Sequence, residues 1–258
     1  MSLFSRLLAP APRRITRDVV AVAFDDGTGI EVVRVRDARA RRFRLSVDER
    51  GARLTVPSRA SAVAGERFLA EHREWLRAQL ADIARHATPA LVAHATNSLP
   101  LRGVDVPAQW QIGRTCRFDL FEGAVHAHAP AHPTPAALAR ALRDFYEAQA
   151  RIDVARWTAM HLAGLPRPPS AVRFKAMASQ WGSLAPDAAM ALDRSLVIAP
   201  VAVFEYVVVH ELCHLLHADH SRSFWREVTL RCPHWRHQRA WLQANGRALK
   251  ARWRSLAA

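Results

Sequence analysis

The sequence predicts an α+β protein: an N-terminal antiparallel β-rich region with a covering helix, followed by a smaller core of mixed sheet and helices. Three observations lead there. Residues 19–57 alternate apolar with polar in four short runs, the two-residue period of half-buried strands. Residues 61–86, 134–162 and 201–218 carry apolar side chains at three- and four-residue spacing, the period of a helix face. Between the last two helical stretches lie the strand-like runs 171–177 and 188–192, which set strands beside helices in the C-terminal part.

The elements follow in order. Residues 1–18 begin with an apolar stretch too short for a secretory signal and read as a disordered lead. Strands are expected at 19–24, 30–36, 43–47 and 54–57, with turns at Asp25-Asp26-Gly27 and Glu49-Arg50-Gly51, forming an antiparallel meander whose exposed side carries Arg34, Arg36, Arg42 and Arg44. Phe68, Trp75, Leu76 and Leu80 give the helix at 61–86 its buried stripe. Residues 87–133 are punctuated by proline and again strand-like, which makes a second small sheet, continuous with the first. Pro133-Thr134-Pro135 opens a long helix to about residue 162, and Gly164 with Pro166, Pro168 and Pro169 ends it. After the two short strands and a turn at 179–183, Pro200 begins a helix running to about residue 218. Further helices are expected from residue 221 and over 236–249. The domains are thus 19–133, β-rich, and 134–258, the core with a basic C-terminal helix. No internal repeat is visible.

Composition narrows the function classes. Half of the 258 residues are hydrophobic, enough for a substantial core. No run of about 18 uncharged apolar residues occurs, so no membrane span is indicated. Three cysteines without a C-x-x-C pair make no disulfide framework and fit a reducing, cytoplasmic compartment. The formal net charge is +14, and its distribution matters more than its size. Residues 221–258 hold nine cations against one acid, with Trp225, Trp235, Trp241 and Trp253 interleaved. Arg236, Arg239, Arg247, Lys250, Arg252 and Arg254 are therefore candidate nucleic-acid contacts, cations for phosphates beside rings for bases; a solvated helical face whose tryptophans pack on the core reads equally well.

The chemistry concentrates in His210-Glu211-Leu212-Cys213-His214. With 13 histidines in the chain, about 0.025 such H-E-x-x-H matches are expected by chance, so the match is informative. Four residues are about one helical turn, which stacks the two imidazoles on one face where they can grip one ion. Glu211 stands about 100° round the helix, poorly placed to bind that ion and well placed to hold a water on it. Two histidines hold zinc poorly, and a third ligand is needed. His220, six residues beyond His214, can swing back if the helix stops near Ala218–Asp219; Glu227 is the second choice. His217 lies on the same helical stripe but about 10 Å along the axis from His210, which makes it a supporting or substrate-side group. Cys213 reads as a small buried hydrophobe.

Three protein ligands leave one position open, the arrangement of a catalytic zinc site. Glu211 is then the general base, and hydrolysis of a peptide or protein substrate is the natural reaction. Tyr206, His217, Arg173, Lys175 and Trp181 are candidates for the oxyanion or substrate side. An extended peptide is expected to add to the edge strand near 171–177 or 188–192.

Trp181-Gly182-Ser183, Leu192 and Leu196 before Ala199-Pro200, the stretch 206–215, His220-Ser221 and Phe224-Trp225 together resemble the YgjP-like metallopeptidases, relatives of the SprT-like zincins. The resemblance extends more loosely to the basic strands at 34–57 and to Glu74-Trp75. It implies a zincin-like catalytic core with His210, His214 and His220 as metal ligands and Glu211 as base. The chain departs from the family pattern at Leu184, where a cysteine is usual, and at Asp193, where an asparagine is usual; neither is a ligand position. Two other readings stand beside the peptidase: a nucleic-acid-associated zinc protein, with structural zinc or DNA-dependent proteolysis, and an inactive zincin-like fold.

Overall fold

The computed structural model describes residues 15–48, 51–85, 90–178 and 180–257. The turn expected at Glu49-Arg50 and most of the expected lead lie outside those residues. The chain divides into two compact units, the first ending at His86 and the second running from Ala87. The division expected near residue 133 falls inside the second unit, because strands 98–129 share one apolar core with the C-terminal helices.

In the first unit, β1 (Thr16–Ala23), β2 (Gly29–Asp37), β3 (Arg44–Asp48) and β4 (Gly51–Pro57) form a sheet in the order β1-β2-β4-β3. The last residues of the expected lead are therefore strand. The sheet is not the antiparallel meander expected: β2 and β4 are parallel, with Val32 beside Ala52 and Arg34 beside Leu54. The apolar strands take the centre, where Val32, Leu54 and Val56 are buried completely, while β3, bearing Arg44 and Ser46, is left at the edge, where charge is tolerated. That register also turns Arg34 and Arg36 to the covered face. Arg34 pairs with Asp18 and reaches Glu66, and Arg36 donates to the Ala60 carbonyl at 2.7 Å; both tie the sheet to its cover instead of facing water. Arg42 and Arg44 are exposed. The cover is two helices, α1 (Ala62–Glu71), capped by Ser61, and α2 (Arg73–Arg85). Residue 86 of the expected single helix lies outside the described residues.

The second unit opens with a separate sheet of β5 (Ser98–Leu101), β6 (Val104–Ile112), β7 (Arg117–Phe121) and β8 (Ala124–Ala129), in the order β5-β6-β8-β7, with β6 and β8 parallel. The two four-stranded sheets thus share one topology, a repeat the sequence does not display. α3 (Pro135–His161) starts at the Thr134 cap and buries Leu138, Leu142, Phe145, Tyr146, Val154 and Trp157, while Ile152, expected on that stripe, is exposed. A three-stranded mixed sheet follows, from β9 (Ala171–Lys175), β10 (Gly182–Leu184) and β11 (Ala189–Asp193), with β11 in the middle. It is antiparallel to β10 and parallel to β9. α4 (Val201–Cys213), α5 (Arg222–Arg231) and α6 (Trp235–Ala257) complete the unit.

Candidate metal centre

α4 is apolar on every side, and Val203, Phe204, Val207, Val208, Val209 and Leu212 are all buried. Burial overrides the weak helix propensity of three consecutive valines. The helix ends at Cys213, with His214 as its cap residue, five residues before the expected end at 218. Its last carbonyls are satisfied by tightened bonds, from Leu215 N–H to Leu212 O at 3.0 Å and from Leu216 N–H to Cys213 O at 3.1 Å, the usual way a helix end closes without a side-chain cap. Asp219 Oδ1 accepts the Ser221 N–H, and the Ser221 hydroxyl caps α5. This early exit returns His220 to the helix face that carries His210 and His214.

The ring nitrogens of His210, His214 and His220 lie within 4.8 Å of one another, and the Nε2 atoms of His210 and His220 are 3.0 Å apart. His214 donates Nδ1–H to the His217 carbonyl at 3.0 Å, which leaves its Nε2 with a free lone pair. His217 therefore acts through its backbone; off the helix, it is not on the stripe the sequence suggested. Fully buried Phe224 packs against all three rings, its centroid 4.6–4.9 Å from theirs. Burial first, then the neighbouring His214 and His220 rings, pushes His210 down to about 3, so that ring is neutral. Two facing imidazole nitrogens with lone pairs, 3.0 Å apart, repel unless a proton or a cation lies between them. A metal ion between the three nitrogens would relieve that repulsion, and the trio could hold one.

Glu211 is 4% exposed, and burial pushes its carboxyl up to about 8. Its carboxyl lies against the backbone of Gly182: a methyl group added to that α-carbon would stand 2.5 Å from Glu211 Oε1. Glycine is required there by proximity. Gly182 is held in turn from α6. Trp181 occupies the notch of Gly246, where an added Cβ would be 2.5 Å from its ring, and Lys250 Nζ sits 4.3 Å from its ring centroid. Lys250 also donates to Met177 O at 2.7 Å and Gln180 O at 3.3 Å, and lies 3.6 Å from Asp193. Asp193 accepts the Met177 N–H at 2.7 Å and caps the 3-10 turn after β11 through Ser195. Asp193 thus anchors the approach to Gly182.

These walls enclose a cavity of about 800 Å³ that includes the three histidines, Glu211, Tyr206, the stretch 180–186, and Arg239, Leu242 and Gln243 from α6. Tyr206 and Trp181 line it; Arg173, Lys175 and His217 do not. Burial pushes the Tyr206 hydroxyl up to about 12, which keeps it a neutral donor. Glu227, the second choice of ligand, pairs with Arg231, away from the trio. Burial raises Cys213 to about 12, as for an inert thiol. β11 is paired on both sides and cannot accept a further strand, and no β9 residue lines the cavity, so neither expected edge serves the site. The edge strand whose residues line the cavity is β10, read from sequence as part of a turn at 179–183; Ser179 lies outside the described residues.

The basic C-terminal cations scatter. Lys250 is committed to Met177, Gln180 and Trp181, Arg252 pairs with Asp105, and Arg239 faces the cavity. Arg236 stacks over Trp235 at 4.6 Å, Arg247 is exposed and Arg254 is half-buried. Trp235 and Trp253 are core residues, out of reach of any base. The sequence signal for this second role of α6 was the spacing 239, 242, 243, 246, 250, one helical stripe, obscured by the charge around it.

The sequence profile of the YgjP-like metallopeptidase domain matches residues 41–245. A solved structure, the metallopeptidase zymogen of Pyrococcus abyssi abylysin, is similar over 36% of this chain and 93% of its own, at 22% identity and a TM-score of 0.30. No curated protein matches the chain. No described helix is long and apolar enough to cross a membrane.

Proposed function

The chain belongs to the YgjP-like metallopeptidase family, which implies a metal ion, and on that premise we propose that it hydrolyses peptide bonds with one zinc held by His210, His214 and His220. The observation that carries the reading is the meeting of three imidazoles and one buried carboxyl in a single cavity. Three nitrogen donors favour zinc over magnesium or calcium, which take oxygen ligands. Bound there, zinc supplies a Lewis acid for the scissile carbonyl and acidifies water toward neutrality.

The rest is the work of this chain. Glu211 takes the proton of the attacking water on its carboxylate and delivers it to the leaving amine nitrogen. Burial raises this carboxyl to about 8, which makes its carboxylate a stronger proton acceptor than an exposed one, and the charge of the bound cation would favour the ionised form that accepts. Gly182 admits that carboxyl to the cavity. The free edge of β10 pairs with an extended substrate strand, whose backbone groups then replace water as partners. Tyr206, with no hydrogen-bond partner for its hydroxyl among the described residues, donates to the oxygen that gains charge at the carbonyl. Glu211→Gln keeps the shape and removes the base. It is expected to retain one zinc per chain and to lose about a thousandfold or more in kcat, within the range seen when a general base is removed. Cleavage at the wild-type rate by that variant would overturn the mechanism.

A further inference from the structure

The cavity is lopsided in charge. Of the described residues that line it, Glu211 is the only acid, and it is buried; Arg167, from the loop after α3, and Arg239, from α6, are both exposed. No carboxylate lies within ion-pair distance of either arginine among the described residues. The nearby acids are turned into their own loops: Asp187 accepts the Ala189 N–H at 3.0 Å and Asp219 the Ser221 N–H at 3.2 Å. Arg239 rests over the Trp225 ring at 5.6 Å, and Trp225 itself lies 5.8 Å from the rings of His210 and His220. The guanidinium is thereby set near the His210 and His220 rings, and its N–H groups make no hydrogen bond among the described residues. Much of the remaining lining is apolar, from Trp181, Leu184, Pro186 and Leu242.

Resting on the peptidase reading, we propose that this cleft selects substrates that carry a carboxylate close to the scissile bond, and that Arg239, with Arg167, is the specificity-determining group. An arginine presents paired donors that match a carboxylate, and an aromatic platform restricts its rotamers before the ligand arrives. The carboxylate has two possible sources: an aspartate or glutamate side chain, or the C-terminus of the substrate.

The test uses the full chain bearing Glu211→Gln, loaded with zinc, so that binding is read without turnover. Four labelled peptides of one apolar sequence are compared by fluorescence anisotropy, with Glu or Gln at one internal position and a free or amidated C-terminus. At low ionic strength a carboxylate-bearing peptide is expected to bind about five- to tenfold more tightly than its amide counterpart, with the ratio falling as salt screens the pair. The internal and terminal arms show which source is read. Arg239→Gln brings the ratio toward one, Arg239→Lys retains part of it, and Arg226→Gln, exposed on α5 outside the cavity, leaves it unchanged. Equal affinity for charged and amide peptides, or no binding of any, overturns the proposal. Wild-type cleavage of all four peptides at one rate sinks it while the peptidase reading stands. A carboxylate preference in binding with no wild-type cleavage supports it and sinks the peptidase reading instead.

Discussion

The cleft has two walls of different origin. One is a continuous stretch from Tyr206 to Trp225 that carries the three histidines, Glu211, the tight turn after α4 and the Phe224 floor. The other is assembled from distant parts of the chain, Trp181 to Ala188 and the stripe of α6 from Arg239 to Lys250. The first wall is contiguous in sequence, so its donors meet once α4 is packed in the core and the turn after it closes. The second exists only when the three-stranded sheet and the C-terminal helix are both in place. Metal affinity should therefore follow the first wall, and catalytic geometry and substrate choice the second.

The largest effect comes from breaking the ligand wall. His220→Ala leaves two imidazoles, and bound zinc is expected to fall from one per chain to a small fraction under non-chelating preparation, with activity lost alongside. The stabilisation that zinc confers, about 2.7 kcal/mol at a hundredfold excess over Kd, disappears from the melting curve as well. Stoichiometric zinc in that variant would mean that the trio is not the binding site.

A smaller and more selective effect is expected from Gly182→Ala. The added methyl group would stand 2.5 Å from Glu211 Oε1, so the carboxyl must swing aside. A displacement of about 1 Å at a reacting group costs on the order of a hundredfold in rate, while the histidines are untouched. Full zinc content with kcat down about a hundredfold sharpens the distinction between the walls; loss of zinc and activity together would erase it.

The same distinction explains what could be read from the sequence. The proposed ligand set lies within eleven residues, His210 to His220, and spacing pointed to the three histidines that the fold brings together. What spacing could not give was the helix end: the stop at Cys213 is closed by the backbone bonds of Leu215 and Leu216 and lies beside the bond from the His214 ring to the His217 carbonyl, and no residue type announces that. Nor could it give β10, whose three residues include the turn-forming Gly182 and are strand only through pairing with β11. Lys250 and Arg239 looked like part of a basic surface because net charge is visible in a sequence and the partner of each charge is not. In the first unit, the positions of its strands were legible, and their order was not, since β4 inserts between β2 and β3 and buries Leu54 and Val56 at the centre of the sheet.

Lys250 gives the smallest expected effect and the most direct test of the assembled wall. It touches neither the histidines nor Glu211, and its side chain is 13% exposed. Replacing it by Met keeps much of its length and removes the bonds to Met177 O and Gln180 O, the contact with the Trp181 ring and the charge beside Asp193. Asp193 keeps its bonds from Met177 and Ser195, so the stability cost should be modest, about 1–2 kcal/mol, read by denaturant unfolding. The strand edge it steadies should become less ordered. KM for an extended peptide is then expected to rise about three- to tenfold, the size of one or two lost backbone bonds to the substrate, with zinc content unchanged. Lys250→Arg, which can still donate to both carbonyls and sit on Trp181, should recover part of the KM. A KM at the wild-type value in Lys250→Met, with stability lowered all the same, would leave α6 a structural support and confine the catalytic apparatus to the ligand wall and Gly182.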